Sequence, residues 1–361
     1  MAEAKRLSEA QKLVAEGEKC LKTSFFQWSP DNTAAAPCFE KAANIFRSLQ
    51  KWEDAGDCYS QAAACYVREK IPLPAARQYE NAYDQYMKMS NWKLAVFSAE
   101  TASELYVDTN QEDRIPQCLV KLGTALQHVD GVRAMATYKK ALDTFVEMKK
   151  TMFAGQTFQV ATSFGVAQKL YNETVNFLDS AIIAHTAMKQ AHEVARDRLS
   201  QILIYLFSGN VKDASELLDD KLDDFVGGDE HLLAARFLDS YETGKVEVFE
   251  KLKTDVSYRF LNSEIVNLGN NFHIPQSIID SMEQKAKMES KKAPIEFNDI
   301  AFKEKEVTKT SNYKQSHITE DQMKALNSMT SILSQGMVAT GQSVESQNIK
   351  DMDEDQMNEL L

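Results

Sequence analysis

The sequence predicts an all-α protein: a right-handed superhelical solenoid of tetratricopeptide-like helical hairpins with a C-terminal helical cap and a mobile tail. Three observations predict it. Helix breakers are scarce, with 13 glycines and 7 prolines in 361 residues, about half or less of ordinary usage, while the strong helix formers Ala, Leu, Lys, Glu, Gln and Met are plentiful. The segments KWEDA (51–55), NWKLA (91–95), GVRA (131–134), YNETV (171–175) and NVKDA (210–214) end in a small or β-branched apolar residue at positions 55, 95, 134, 175 and 214, a spacing of 40, 39, 41 and 39. A second register interleaves with the first, because Phe39, Tyr79, Leu119, Phe158 and Leu199 also stand 39 to 41 residues apart. Two registers per period mean two helices per repeat. A lone hairpin cannot bury both of its apolar faces, so hairpins stack on their neighbours.

Taken in chain order, MAEAKRLSEAQKLVAEGEK opens the chain as an amphipathic helix that carries charges of both signs. The pattern breaks at LKTSFFQWSP (21–30), which places Phe25, Phe26 and Trp28 in the turn between two helices. Such rings either fold back as a staple between the two helices or stand out as a wedge for a membrane or partner. As a wedge each gains roughly 1.5–3 kcal/mol, a weak and reversible anchor that needs further copies or tethers. Asp31 or Asn32 caps the helix that continues as AAAPCFEKAANIF. In the next helix Ala55, Tyr59, Ala62, Ala63 and Tyr66 share one stripe. Pro72 and Pro74 sit at a helix start, and Gly131, Gly209 and the pair Gly227–Gly228 mark turns. Small residues on the stripes (Ala42, Ala43, Ala62, Ala63, Ala82, Ala99, Ala102) bring helices to the short end of the roughly 8–10 Å interaxial range.

The repeat array covers residues 1–228. Residues 229–275 read as shorter capping helices ending near NNFHIP, and residues 276–361 as a flexible tail rich in Lys, Glu, Ser, Gln and Met. Within the tail, TEDQMKALNSMTSILSQGM (319–337) has a capping box from Thr319 to Gln322, followed by Met323, Leu326, Met329, Ile332 and Leu333. It is either a helix that orders on a partner or a transient one.

Composition narrows the function classes. A formal net charge of −12 repels phosphate backbones and anionic headgroups, which excludes nucleic acid as a partner and confines any membrane contact to a local patch. No stretch approaches the 18 apolar residues of a membrane span, and the opening lacks the character of a signal peptide, so a cytoplasmic protein is expected. Cys20, Cys38, Cys58, Cys65 and Cys118 form no CxxC pair, and their odd number reads as buried thiols in a reducing compartment. No phosphate-binding glycine loop, nucleophile elbow or HExxH appears, and the six histidines are scattered. The acidic pairs Asp219–Asp220 and Asp223–Asp224 read as solvated faces. The expectation is a non-enzymatic protein with no cofactor and no metal.

A first helix, an aromatic loop and then FEKAANIFRSLQKWEDAGDCYSQAA together resemble the soluble NSF attachment proteins (SNAPs), adaptors that join SNARE complexes to a hexameric AAA+ ATPase. LKTSFFQWSPDNTAAAPCFEKAA and FLDSYETGKVEVFEKL are most similar to the gamma branch, and the resemblance covers residues 5–272. It implies that Phe25, Phe26 and Trp28 form a membrane-attachment loop. It also implies that Asp239 and Glu242, in LDSYET, contact the ATPase NSF, with Thr243 where a further acid is expected. The ending DMDEDQMNELL is similar to the acidic run and penultimate leucine of the alpha branch and adds Leu360 to that contact, although here a long tail intervenes. Arg114, Lys121, Arg133, Arg196 and Arg198 are the candidates for a groove that grips an acidic SNARE four-helix bundle. The implied protein is a monomer when free, peripheral on vesicle or target membranes, and serves ATP-dependent SNARE disassembly in vesicle trafficking. The alternative is a general tetratricopeptide scaffold that binds a short peptide or another trafficking factor.

Overall fold

A computed structural model describes residues 2–23, 28–222 and 224–292. The chain divides into two units, 1–294 and 295–361. The whole second unit, with the helix expected at 319–337 and Leu360, lies outside the described residues, as do Phe25 and Phe26.

Among the described residues there are sixteen α-helices, two short 3-10 helices and no strand. The array is built from α1 (Ala2–Leu21), α2 (Asn32–Ser48), α3 (Trp52–Arg68), α4 (Pro72–Lys88), α5 (Trp92–Asp108), α6 (Ile115–Leu126), α7 (Gly131–Glu147), α8 (Gly155–Ala167), α9 (Tyr171–Ala187), α10 (Ala191–Ser208) and α11 (Val211–Asp219). The 3-10 segments Glu112–Arg114 and Thr151–Ala154 lead into α6 and α8. Short helices follow: α12 (Asp229–Glu242), α13 (Val246–Leu252), α14 (Val256–Arg259) and α15 (Ser263–Asn270). Residues 276–292, read from sequence as the start of a tail, form α16 (Gln276–Lys292), whose Ile278 and Ile279 pack on the core.

Both sequence registers reappear as burial. Ala55, Ala95, Ala134, Val175 and Ala214 are buried on α3, α5, α7, α9 and α11, and Phe39, Tyr79, Leu119 and Leu199 on α2, α4, α6 and α10. Phe158 on α8 is only half-buried, because its ring faces a cleft and stacks on His185. The alanines named for close approach are all buried. Between them, tyrosines fill the wider gaps, and their hydroxyls tie consecutive helices together. The Tyr59 hydroxyl donates to Asn44 Oδ1 at 2.8 Å, Tyr86 to Asp57 Oδ1 at 2.9 Å, and Tyr138 to Thr124 Oγ1 at 3.1 Å.

Eight of the turns in the array share one device. Gln50, Lys70, Ser90, Asn110, Lys149, Lys169, Lys189 and Gly209 all have positive φ. In each case the next residue's N–H reaches back to the carbonyl five residues earlier: Lys51 to Phe46, Ile71 to Tyr66, Asn91 to Tyr86, and so on to Asn210 and Tyr205, at 2.8–2.9 Å. This is the left-handed Schellman ending, which satisfies the last carbonyls of a helix and reverses the chain. Of the glycines expected at turns, Gly209 and Gly227 do take positive φ, whereas Gly131 is the first residue of α7, behind an Asp130 cap that accepts from Arg133 N–H at 3.0 Å. The cysteines divide. Cys58, Cys65 and Cys118 are buried, with burial pushing Cys58 and Cys118 up to about 12, while Cys20 and Cys38 are half-buried.

The C-terminal helices close the stack with an aromatic core. Phe207, Phe237, Phe249 and Phe272 lie 5.3–6.2 Å apart between ring centroids. Gly269 lets these rings approach, since a Cβ there would sit 2.5 Å from Phe207 and 2.3 Å from the Tyr258 hydroxyl.

Candidate functional site

Successive helices of the array reverse direction at each connection, so turns fall alternately on two edges of the array. One edge collects the α1–α2, α3–α4, α5–α6, α7–α8 and α9–α10 turns, and direct contacts link them. Asn32 Nδ2 at the start of α2 donates to Glu69 Oε1 in the α3–α4 turn at 3.0 Å. Leu73, Leu105 and Ile115 pack on one apolar cluster, which joins the α3–α4 end to the α5–α6 end. Asp113, beside the α5–α6 turn, is ion-paired with Lys150 of the α7–α8 turn.

The aromatic loop opens this edge and is pinched at its base. Asp31 N–H donates to the Cys20 carbonyl at 2.9 Å, and the Asp31 carboxylate caps α2 by accepting from Ala34 N–H at 2.9 Å. Trp28 is 89% exposed, so its ring is not stapled between α1 and α2. Sequence reasoning passed over Met152 and Phe153, two further exposed side chains on the same edge. Their only signal was a pair of large apolar residues directly after Lys149–Lys150 at a repeat boundary.

The five basic candidates are spread over the Glu112–Arg114 segment, α6, α7 and α10 and mostly spend their charge locally. Lys121, half-buried on α6, lies 3.1 Å from Glu80 and 3.3 Å from Asp84. Its burial favours the neutral amine, but the two carboxylates outweigh that and hold the ammonium above its ordinary range. Arg133 pairs with Glu100, and Arg196 with Glu193 at 2.6 Å. The buried Arg198 pairs with Asp220 at 2.8 Å, which ties α10 to the segment after α11. Among the described residues only Arg114, exposed in its 3-10 segment, has no ion pair within this set. Toward the other end of the array, Asp239 and Glu242 are both exposed on the last turn of α12, with Asp239 3.4 Å from Lys245 Nζ. Thr243, where the resemblance implies an acid, donates its hydroxyl to the Asp239 carbonyl at 2.6 Å.

A cleft of about 1060 Å³ opens between α8, α9 and α10, beneath Phe260–Ser263. At its base His185 Nδ1 lies 2.7 Å from Asp197 Oδ2. Burial raises the Asp197 carboxyl to about 6, against the opposing pull of His185. The pair links α9 to α10. Among the described residues no group of three or more His, Cys, Asp or Glu side chains is placed to hold a metal ion, and no helix is long and apolar enough to cross a membrane.

The family model "Soluble NSF attachment protein, SNAP" matches residues 8–255. The gamma-soluble NSF attachment protein of Dictyostelium discoideum is 23% identical over 274 residues, covering 75% of this chain and 85% of that one. Its Arabidopsis thaliana counterpart is 24% identical over 264 residues, covering 73% and 91%. The alpha-soluble NSF attachment protein of Homo sapiens is 21% identical over 196 residues, covering 50% and 66%.

Proposed function

Because the chain belongs to the soluble NSF attachment protein family, we propose that it is a non-catalytic adaptor that couples SNARE bundles to the hexameric ATPase NSF in vesicle trafficking. The observation that carries this reading is the pinched N-terminal loop. A large ring held almost fully in water costs solvation free energy unless a partner or bilayer covers it, and a loop tied at its base presents that ring at a defined place.

In this reading Phe25, Phe26 and Trp28 attach the adaptor peripherally to vesicle or target membranes from the cytoplasmic side, and Asp239 and Glu242 meet the ATPase, with Leu360 adding to that contact. Several copies then lie along one SNARE four-helix bundle, so individually weak contacts hold together by effective concentration. Of the basic candidates, Arg114 is the one whose charge is open to an acidic bundle. Lys121, Arg133 and Arg196 are matched by nearby acids and contribute to the groove as a hydrogen-bonding surface, whereas the buried Arg198 holds α10 to the segment after α11.

Nucleotide-dependent capture tests the proposal. Immobilised NSF with bound ATP analogue and a SNARE bundle is expected to retain the full chain, and Asp239→Lys with Glu242→Lys to weaken retention several-fold. Retention of neither the chain nor the bundle, with a short peptide bound instead, would favour a general tetratricopeptide scaffold.

A further inference from the structure

The two edges of the array treat their aromatic rings in opposite ways. On the α2–α3, α4–α5 and α6–α7 edge, each tryptophan is covered by the next turn along. Lys88 Nζ sits 4.1 Å from the Trp52 ring centroid, and His128 stacks on Trp92 at 3.8 Å and 12°. On the Trp28 edge three large apolar side chains among the described residues stand largely in water. Trp28 is 89% exposed, Met152 87% and Phe153 71%. Between these two positions Val67 and Ile71 at the α3–α4 turn and Val107 at the end of α5 are also exposed, as Val129 and Val132 are at the α6–α7 turn of the opposite edge.

Turn tips set side by side suit a flat surface better than a groove. The Asn32–Glu69 bond, the cluster shared by Leu73, Leu105 and Ile115, and the Asp113–Lys150 pair link each tip to its neighbour from the α1–α2 turn to the α7–α8 turn. Charge there favours an anionic plane. Lys149 adjoins Met152–Phe153 and Lys189 occupies the next turn, both exposed, and neither has an ion pair among the described residues. Of the acids nearby, Asp113 is matched by Lys150, while Asp108, Glu112 and Glu147 stay exposed. In a chain of net charge −12, Lys149 and Lys189 set two exposed basic groups beside two exposed apolar side chains, a combination that suits insertion at a headgroup boundary.

We propose that Met152 and Phe153 form a second contact with an anionic phospholipid bilayer, on the same edge as Trp28. The choice of edge rests on the reading of the aromatic loop as a membrane contact. Two separated contacts fix the orientation of the array on the bilayer, which a single loop leaves free to swivel, and they multiply two weak affinities.

Flotation of the full chain with vesicles of phosphatidylcholine, with or without phosphatidylserine, separates the possibilities. Met152→Ser with Phe153→Ser is expected to lower vesicle affinity by about tenfold or more, as loss of two inserted side chains requires, with the melting temperature unchanged. Lys149→Glu with Lys189→Glu is expected to abolish the preference for phosphatidylserine. As a second readout, Phe153→Trp in a Trp28→Phe background is expected to be quenched by brominated lipids. Unchanged affinity and no quenching, while Trp28→Ser still releases the chain from vesicles, would overturn the second contact and leave the aromatic-loop reading standing. Loss of neither contact's effect would remove both. Unchanged vesicle binding together with lost SNARE disassembly in detergent would assign the patch to a protein instead and overturn the proposal.

Discussion

His185 Nδ1 lies 2.7 Å from Asp197 Oδ2, a bond that joins α9 to α10 at the base of the cleft. The carboxyl is raised from its ordinary 3.8 to about 6 because burial disfavours its charge more than His185 favours it. An acid whose pKa is higher folded than unfolded binds its proton more tightly in the folded state. It therefore stabilises the fold fully below pH 3.8, and that contribution is lost as pH rises through about 6.

The difference in unfolding free energy between the parent chain and Asp197→Asn isolates this effect. Between pH 4 and 7 it is expected to move against the parent by up to about 3 kcal/mol, since one pKa unit is worth about 1.4 kcal/mol. A difference independent of pH would show that the carboxyl is not perturbed.

The left-handed turn residues make a second prediction. Lys70 and Lys169 hold φ of 57° and 60° with exposed side chains. An L-residue pays roughly 1–2 kcal/mol for that conformation, and glycine pays none but loses more freedom on folding. Lys70→Gly and Lys169→Gly are thus expected to be neutral or to stabilise by up to about 1 kcal/mol, whereas Lys140→Gly in the interior of α7 costs about 1 kcal/mol. Equal losses at all three positions in thermal melts would contradict the turn geometry.

These turns also show where sequence reading stops. The 40-residue period was legible because burial repeats with it: Ala55, Ala95 and Ala134 occupy equivalent places in a close-packed stack. The turn device was not, because the hydrogen bond from Ile71 N–H to the Tyr66 carbonyl lets lysine take a place usually marked by glycine. Nor does a sequence show that Lys121 meets Glu80 and Asp84, or Arg133 meets Glu100, since the acids belong to the preceding helices of the stack and only packing brings them near. The charged character of residues 276–292 likewise hid the two isoleucines that anchor α16, where Ile279 lies against Gly244. In the candidate site, the rings of the first loop stood out because a helix break isolated them, while Met152 and Phe153 blended into a repeat boundary.

ATP-driven disassembly of SNARE bundles by NSF, run once with bundles in liposomes and once in detergent, bears most directly on the adaptor account. The full chain is expected to support disassembly in both settings. Phe25→Ser with Phe26→Ser and Trp28→Ser is expected to keep the melting temperature and the detergent rate but slow the liposome reaction several-fold. A chain that supports no ATP-dependent disassembly in either setting, while binding bundle and ATPase no better than an unrelated helical array, would contradict it.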